Sequence, residues 1–354
     1  MKLLERWVEG HSIMNHNGNF AHTVFTNNCH ESVQTTVCED RWAIILAGGD
    51  GTRLRSLTRT ISGDDRPKQF CALLGNETLL AQTINRVSRA LPLNKILFAV
   101  TETHEPFYNS ILEGVAEEQL VVQPKNAGTA PAILYSLLRL SQDASDSTVA
   151  VFPSDHHLSD DASFMNYVES AFEYVRLRKD LIILLGIHPE RPETDYGWIE
   201  PVSPGLAGNP EGLSWVRRFW EKPTPEVARD LMNRGCLWNS FVMVGKVSSF
   251  LKALQQTVPG LFNRFSAIEP YLNTRYEKQL VTELFSDLSD VHFSKQVLAA
   301  RPGNLAVLPV TGLIWNDLGR PERVLSTHAE LFAQKPNGPV LDSLRMNENA
   351  LGSM

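Results

Sequence analysis

Gly48, Gly49 and Gly51 stand within four positions, directly after a short apolar run and directly before Thr52 and Arg53. Glycines at the carboxyl end of a strand let backbone N–H groups approach a phosphate closely, because no Cβ intervenes. Arg53 adds a planar, permanently charged fork for phosphate oxygens. Farther along, Lys68 lies in a polar stretch, Asp155 follows an apolar run, and Asp317 follows Trp315 and Asn316. Two basic residues could neutralise a triphosphate. Two aspartates at loop starts could chelate Mg2+, which takes oxygen ligands and keeps several waters when it bridges to phosphates. Together they describe metal-assisted transfer at phosphorus, where catalysis is mostly positioning and charge stabilisation. Taken singly, each aspartate serves as readily as a helix N-cap or a turn residue.

Two familiar glycine motifs are excluded. A P-loop needs a lysine that does not follow these glycines at the required place, and the dinucleotide fingerprint G-x-G-x-x-G fails because Leu54 stands where the third glycine belongs. An ordinary glycine-rich strand-to-helix turn is the bland alternative. No Ser-His-Asp order calls for a covalent nucleophile.

The elements that must carry these residues alternate. Apolar runs at Ala43–Ala47, Lys95–Val100, Leu120–Gln123, Thr148–Phe152 and Leu181–Ile187 predict buried strands. Between them, helical spacing places Leu80, Ile84, Val87 and Leu91 on one face and Ile133, Leu137 and Leu140 on another. Further helices are expected near 105–118 and 163–178, and residues 55–68 read as a polar active-site loop. This alternation predicts an α/β fold with a doubly wound, mostly parallel (Rossmann-like) sheet. Ligands bind at the carboxyl ends of such strands, so the loops at 48–53, 123–131 and 153–157 should converge on one crevice. The second half changes character. Tyr196–Glu200, Leu213–Trp220 and Cys236–Val244 are strand-like with aromatics, and they predict a substrate-binding half of mixed strands. Helices are expected at Thr224–Asn233, across 247–286 and at Arg320–Phe332, with a strand at Asn304–Pro309 and a loop at Gly312–Gly319. The expected organisation is a loosely ordered extension over 1–40, one unit over 41–332, and a polar tail over 333–354.

The 354 residues are 43% hydrophobic and 21% charged, an ordinary balance for a globular protein with a sizeable core. The formal net charge of −7 argues against nucleic acid as a partner. Cys29, Cys38, Cys71 and Cys236 match no zinc spacing, and scattered thiols suit a reducing cytoplasm. No stretch reaches the roughly 18 apolar residues of a membrane helix, and the first 40 residues lack a signal peptide's apolar core. No membrane partner is expected, and a homo-oligomer is left open.

Leu46-Ala-Gly-Gly-Asp-Gly-Thr-Arg-Leu54 resembles the L-A-G-G-x-G-T-R-L signature of sugar-1-phosphate nucleotidyltransferases, and Arg66-Pro-Lys-Gln-Phe70 resembles the lysine segment that follows it. Gly128-Thr-Ala-Pro-Ala132, Pro153-Ser-Asp-His156, Trp220-Glu-Lys-Pro223, Leu237-Trp-Asn-Ser240 and Trp315-Asn-Asp-Leu-Gly319 come in that family's order. The Thr-Ala-Pro-Ala, Pro-Ser-Asp-His and Trp-Asn-Ser segments are most similar to mannose-1-phosphate guanylyltransferases. The resemblance covers residues 42 to about 331.

It implies roles residue by residue. The nucleotide set would be Leu46, Ala47, Gly48, Gly49, Gly51, Thr52, Gln123 and Thr129. Within it Leu46 to Gly48 border the base, the Gly48–Gly51 backbone holds the phosphates with Arg53, and Gln123 and Thr129 read the base. Lys68 would neutralise the leaving pyrophosphate and the α-phosphoryl oxygens. Asp155 and Asp317 would hold Mg2+. Gly197, Glu221 and Asn239 would contact the sugar, with Lys222 on its phosphate. The implied reaction transfers a nucleoside monophosphate from an NTP, GTP by the nearest resemblance, to a hexose 1-phosphate such as mannose 1-phosphate. The alternatives are another base or sugar, or a non-catalytic homologue that binds nucleotide sugars and regulates a partner. Two segments depart from the family. Asn126-Ala-Gly-Thr129 replaces Arg-Asn-Thr, and Phe241 stands where a glycine is usual. His156 and His157 could line the site but read more readily as solvated loop histidines, and Trp198, Trp215 and Trp220 read as packing residues.

Overall fold

The computed structural model describes residues 40–202, 212–300 and 302–333. Most of the expected extension over 1–40 and almost all of the expected tail over 333–354 lie outside the described residues. Four apolar runs form parallel strands: Arg41–Leu46 (β1), Ile96–Thr101 (β2), Leu120–Gln123 (β3) and Thr148–Pro153 (β4), ordered β3-β2-β1-β4. They need no polar face, because both faces are covered. Ala43 and Ile45 of β1 point into one buried cluster and Ile44 into the other. After Arg55–Ser62 (α1), the helix Leu79–Val87 (α2) packs Leu80 and Val87 into the first cluster. Thr78 caps α2 by accepting from Ala81 N. Past the single turn Glu105–Tyr108 (α3), Thr129–Ala144 (α4) covers the second face with Ile133, Leu134, Leu137 and Leu138. A two-residue strand, His157–Leu158 (β5), precedes Asp161–Leu177 (α5), which returns to the first face through Phe164, Val168 and Phe172.

Two local expectations fail. Residues 55–62 are helical rather than a loop. Of α1 only Thr58 is buried, so no apolar stripe announced it, and Gly63 (φ 77°) closes it by donating to Arg59 O. The helix expected over 105–118 stops at Tyr108, and Gly114 turns the chain at φ 83°.

The second half corrects the sheet. Ile182–Ile187 (β6), Gly197–Pro201 (β7), Ser214–Glu221 (β8), Leu237–Lys246 (β9) and Leu305–Val310 (β10) complete a nine-stranded sheet. Pro225–Asn233 (α6) leads into β9, while Val247–Thr257 (α7), Pro259–Ile268 (α8) and Glu277–Ser286 (α9) follow it. β9 lies between β4 and β6 and is antiparallel to both. β8 runs antiparallel to β10 and β7, and β7 antiparallel to β9, so β9-β6-β10-β8-β7 closes back on β9 as a small barrel-like ring. The sheet is therefore mixed, not mostly parallel. Helical crossovers keep β1 to β4 parallel, but the long β9 enters from the far side and reverses the direction beside β4.

The feature that positions the chemistry is smaller. Trp315–Asn316 (β11), expected as loop, pairs antiparallel with β5 in the register Trp315↔Leu158 and Asn316↔His157. That bridge brings His156, just before β5, and Asp317, just after β11, to one place, although 161 positions separate them in sequence. Pro321–Ala333 (α10) follows directly.

Candidate active site

At the end of β1 the backbone is clamped through its carbonyls. Gln69 Nε2 donates to Ala47 O at 3.0 Å and to Gly49 O at 2.7 Å, and Thr101 Oγ1 donates to Gly48 O at 3.0 Å. The N–H groups of Gly48, Gly49 and Gly51 make no hydrogen bond among the described residues, which is the condition for a phosphate cradle. A Cβ on Gly48 would lie 2.8 Å from Thr101 Oγ1 and 3.0 Å from Gln123 Nε2, so side chain is excluded there by close packing. Gly51 turns the chain at φ 59°, with Lys68 N against it. Gly51, Thr52, Arg53, Lys68, Asp155 and Gly319 line one recess. Arg53 is exposed, whereas Lys68 is buried.

Lys68 ties the two aspartates together. Its ammonium sits 3.2 Å from Asp155 Oδ2 and donates to the backbone carbonyl of Asp317. Asp317 Oδ1 accepts from Arg323 Nη1 at 2.7 Å, from Gly319 N at 2.9 Å and from Tyr196 Oη at 3.2 Å. Burial alone would raise this carboxyl, but Lys68, His156 and Arg323 outweigh it and hold it below the usual carboxylate range. Arg323 is itself gripped by Asp195 Oδ2 at 2.9 Å and Glu193 Oε1 at 3.0 Å, and lies over the Tyr196 ring at 4.7 Å. Asp155 and Asp317 both line the adjoining cleft, and two carboxylates there fit a divalent cation that draws its other ligands from water and phosphates. Among the described residues no cluster of three or more His, Cys, Asp or Glu is arranged to hold a metal.

A cleft of about 360 Å3 opens from this point. Leu46, Gly48, Gly49, Gln123 and Thr129 line one end. Gln123 is buried and its Oε1 has no partner among the described residues. Thr129 Oγ1 accepts from Phe293 N at 2.9 Å. Gly197, Glu221, Asn239 and Phe241 line the other end. A Cβ at Gly197 would stand 2.8 Å from the Phe219 ring and 3.2 Å from Glu221 Oε2, which explains the glycine. Burial raises the Glu221 carboxyl, opposed by Lys222, Lys295 and His292. Asn239 Oδ1 accepts from Phe241 N at 3.1 Å. Phe241 keeps a glycine-like φ of 63°, a conformation costing an L-residue roughly 1 kcal/mol.

The chain thus brings together Arg53, Lys68, Asp155 and Asp317, and places Gln123, Thr129, Gly197, Glu221 and Asn239 on the adjoining cleft. Ala47 is buried, and Thr52 is exposed on the recess. Ala47 lines neither space, and neither does Lys222, which is exposed at φ 48°. His156 and His157 are not solvated as expected. His156 lines the cleft with its ring edge-on to Trp315 at 5.2 Å and its Nδ1 without a partner among the described residues, and His157 is buried in the β5–β11 bridge. Both imidazoles are pushed below their usual range, by burial first, His157 to about 4. Sequence reasoning also missed Asp195, Tyr196, Arg323, Asp290, His292 and Ser294. None sits in a recognisable motif, and only the tyrosine's place directly before Gly197 hinted at the site.

The profile described as Nucleotidyl transferase matches residues 42–334. The chain belongs to that family. It is 29% identical over 294 residues to the alginate biosynthesis protein AlgA of Pseudomonas aeruginosa, covering 81% of this chain and 58% of that one. It is 30% identical over 298 residues to a mannose-1-phosphate guanylyltransferase 2 of Escherichia coli, covering 78% and 58%. The chain therefore spans little more than half the length of these curated relatives. A Thermus thermophilus crystal structure described as a mannose-1-phosphate geranyltransferase superposes with a TM-score of 0.70 at 24% identity, over 81% of this chain and 79% of that one. This last likeness establishes the shared α/β nucleotidyltransferase fold. Among the described residues no helix is long and apolar enough to cross a membrane.

Proposed function

We propose that this family member transfers the guanylyl group of GTP to mannose 1-phosphate, releasing pyrophosphate and forming a nucleotide sugar. The observation that carries this reading is the junction at Lys68. A glycine cradle with Arg53, an aspartate pair, and a cleft lined by hydroxyl-binding residues meet at one buried ammonium. Gln123 supports guanine in particular, since a buried, unpaired acceptor suits a base edge that donates, as guanine does at N1 and N2. Identity to a mannose-1-phosphate guanylyltransferase supports the sugar. Free, buried thiols at Cys71 and Cys236 agree with a cytoplasmic setting.

In this reading the glycine-loop amides and Arg53 hold the β- and γ-phosphates, while Lys68 neutralises charge on the α-phosphoryl group and on the leaving pyrophosphate. Glu221 and Asn239 grip the hexose so that a phosphate oxygen lies in line with the α-phosphorus. That oxygen is already ionised near neutral pH, so no strong base is required. The obstacle is repulsion between anions, which Arg53 and Lys68 relieve, with exposed Lys222 drawing the sugar phosphate toward the rim. Asp155 and Asp317 would hold the divalent cation, Mg2+ in this reading, whose chemistry is Lewis-acid neutralisation of phosphate oxygens.

The test is pyrophosphate release from a panel crossing GTP, ATP, UTP and dTTP with mannose, glucose and galactose 1-phosphates. GTP with mannose 1-phosphate is expected to turn over fastest. Binding without turnover across the panel would replace this reading with a regulatory, nucleotide-sugar-binding one.

A further inference from the structure

One wall of the cleft belongs to no motif. Residues 290–294 run along the loop that opens α4. Val291 N donates to Ala127 O at 2.9 Å, Ala130 N donates to Val291 O at 2.9 Å, and Phe293 N donates to Thr129 Oγ1 at 2.9 Å. Gly128 permits this approach. It sits at φ 89°, and a Cβ there would stand 2.5 Å from Val291 O, against backbone that cannot move aside. The strap alternates. Phe293 is buried against Phe250, with ring centroids 6.3 Å apart, and Val291 packs on the same core face. Asp290, His292 and Ser294 line the cleft. His292 stands close enough to Glu221 to favour its ionised form. His292 and Ser294 thus line the same cleft as Gly197, Glu221 and Asn239.

We propose that His292 and Ser294 bind hydroxyl groups of the hexose, and that His292 sets which hexose is accepted. The inference rests on the reading of the cleft as a hexose 1-phosphate site. An imidazole offers one donor and one acceptor, and a serine hydroxyl offers both, so together they match the paired donor and acceptor of sugar hydroxyls. Glu221 and Asn239 read the ring from one wall, and the strap reads it from another. Two walls discriminate epimers better than one, because an epimer that keeps one set of bonds must break the other. The hydrogen bond from Phe293 N to Thr129 Oγ1 fixes the strap to the first residue of α4.

The test measures affinities by calorimetry for GTP and for mannose, glucose and galactose 1-phosphates, in wild type, His292→Ala, His292→Gln and Ser294→Ala, with thermal unfolding as the check of folding. Turnover is recorded separately for each. His292→Ala is expected to weaken the preferred sugar phosphate about tenfold and to compress the ratio among epimers, with GTP affinity within about twofold of wild type. His292→Gln should recover part of the loss. Unchanged sugar-phosphate affinity, a parallel fall in GTP affinity, or a wild type that binds no hexose 1-phosphate would each overturn the proposal. If His292→Ala fails to fold, Ser294→Ala decides by the same criteria. A wild type that binds these sugars selectively without turnover removes the catalytic reading alone.

Discussion

At the scale of single residues, the two aspartates differ although the sequence presents them alike. Asp155 is partly exposed and touches Lys68 at 3.2 Å and His156 at 3.4 Å. Asp317 is more deeply set and is the partner of the buried Arg323. Replacing either with asparagine removes a charge that Mg2+ would need, and each variant should lose at least about a hundredfold in pyrophosphate release. Their stabilities should separate. Asp155→Asn should unfold near the wild-type temperature, whereas Asp317→Asn leaves Arg323 short of a charged partner and should cost about 1–3 kcal/mol. Steady-state kinetics over a Mg2+ series, paired with thermal melts, checks both halves, and unchanged turnover in both variants would sink the metal assignment. These residues stood out in the sequence because each sits in a short string that resembles a family motif, next to an apolar run or a tryptophan. Arg323 did not, because an arginine on a polar helix face reads as solvated until the fold buries it.

At the scale of elements, α10 is fastened to the stretch before β7 by charge rather than by apolar packing alone. Arg320 and Arg323 both reach Asp195, and Arg323 also reaches Glu193. The hydrogen bond from Arg320 comes first among the causes that hold the Asp195 carboxyl below the usual range. A carboxyl whose folded pKa is depressed binds fewer protons folded than unfolded, so its contribution is present above the unfolded value and is lost as pH falls through the folded one. The melting temperature should therefore decline below about pH 4, and Asp195→Asn should lower it at pH 7 while flattening that acid limb. Melts from pH 3 to 7 of both proteins decide it, and identical acid limbs would refute the role. Elements built on long apolar periods, such as β1, β4, α4 and α5, were readable in advance. α1 and the β5–β11 bridge were not. The helix buries one threonine, and a two-residue strand carries no period at all. That bridge nevertheless decides where Asp317 goes.

At the scale of the whole molecule, β9 is the shared member of two arrangements. On one side lies the parallel set ending in β4, which presents the glycine loop and Gln123. On the other lies the ring closed through β6, β10, β8 and β7, which presents Gly197 and Glu221. The order of strands in space is invisible to local patterning, because pairing β9 between β4 and β6 is decided by contacts far apart in sequence. One strand common to both halves implies that they unfold together. Met243 tests this. It is fully buried on β9, it opposes Val151 of β4 and Leu184 of β6, and it does not line the cleft. Met243→Ala should cost about 2–5 kcal/mol through the cavity it leaves. Unfolding should remain one transition, which GTP alone or mannose 1-phosphate alone shifts upward as a whole, since either ligand stabilises everything that must unfold to release it. Michaelis constants for both substrates should stay within about twofold, because the lost methionine touches neither. Calorimetry that resolves two transitions, each raised by one substrate only, would show that β9 does not couple the halves.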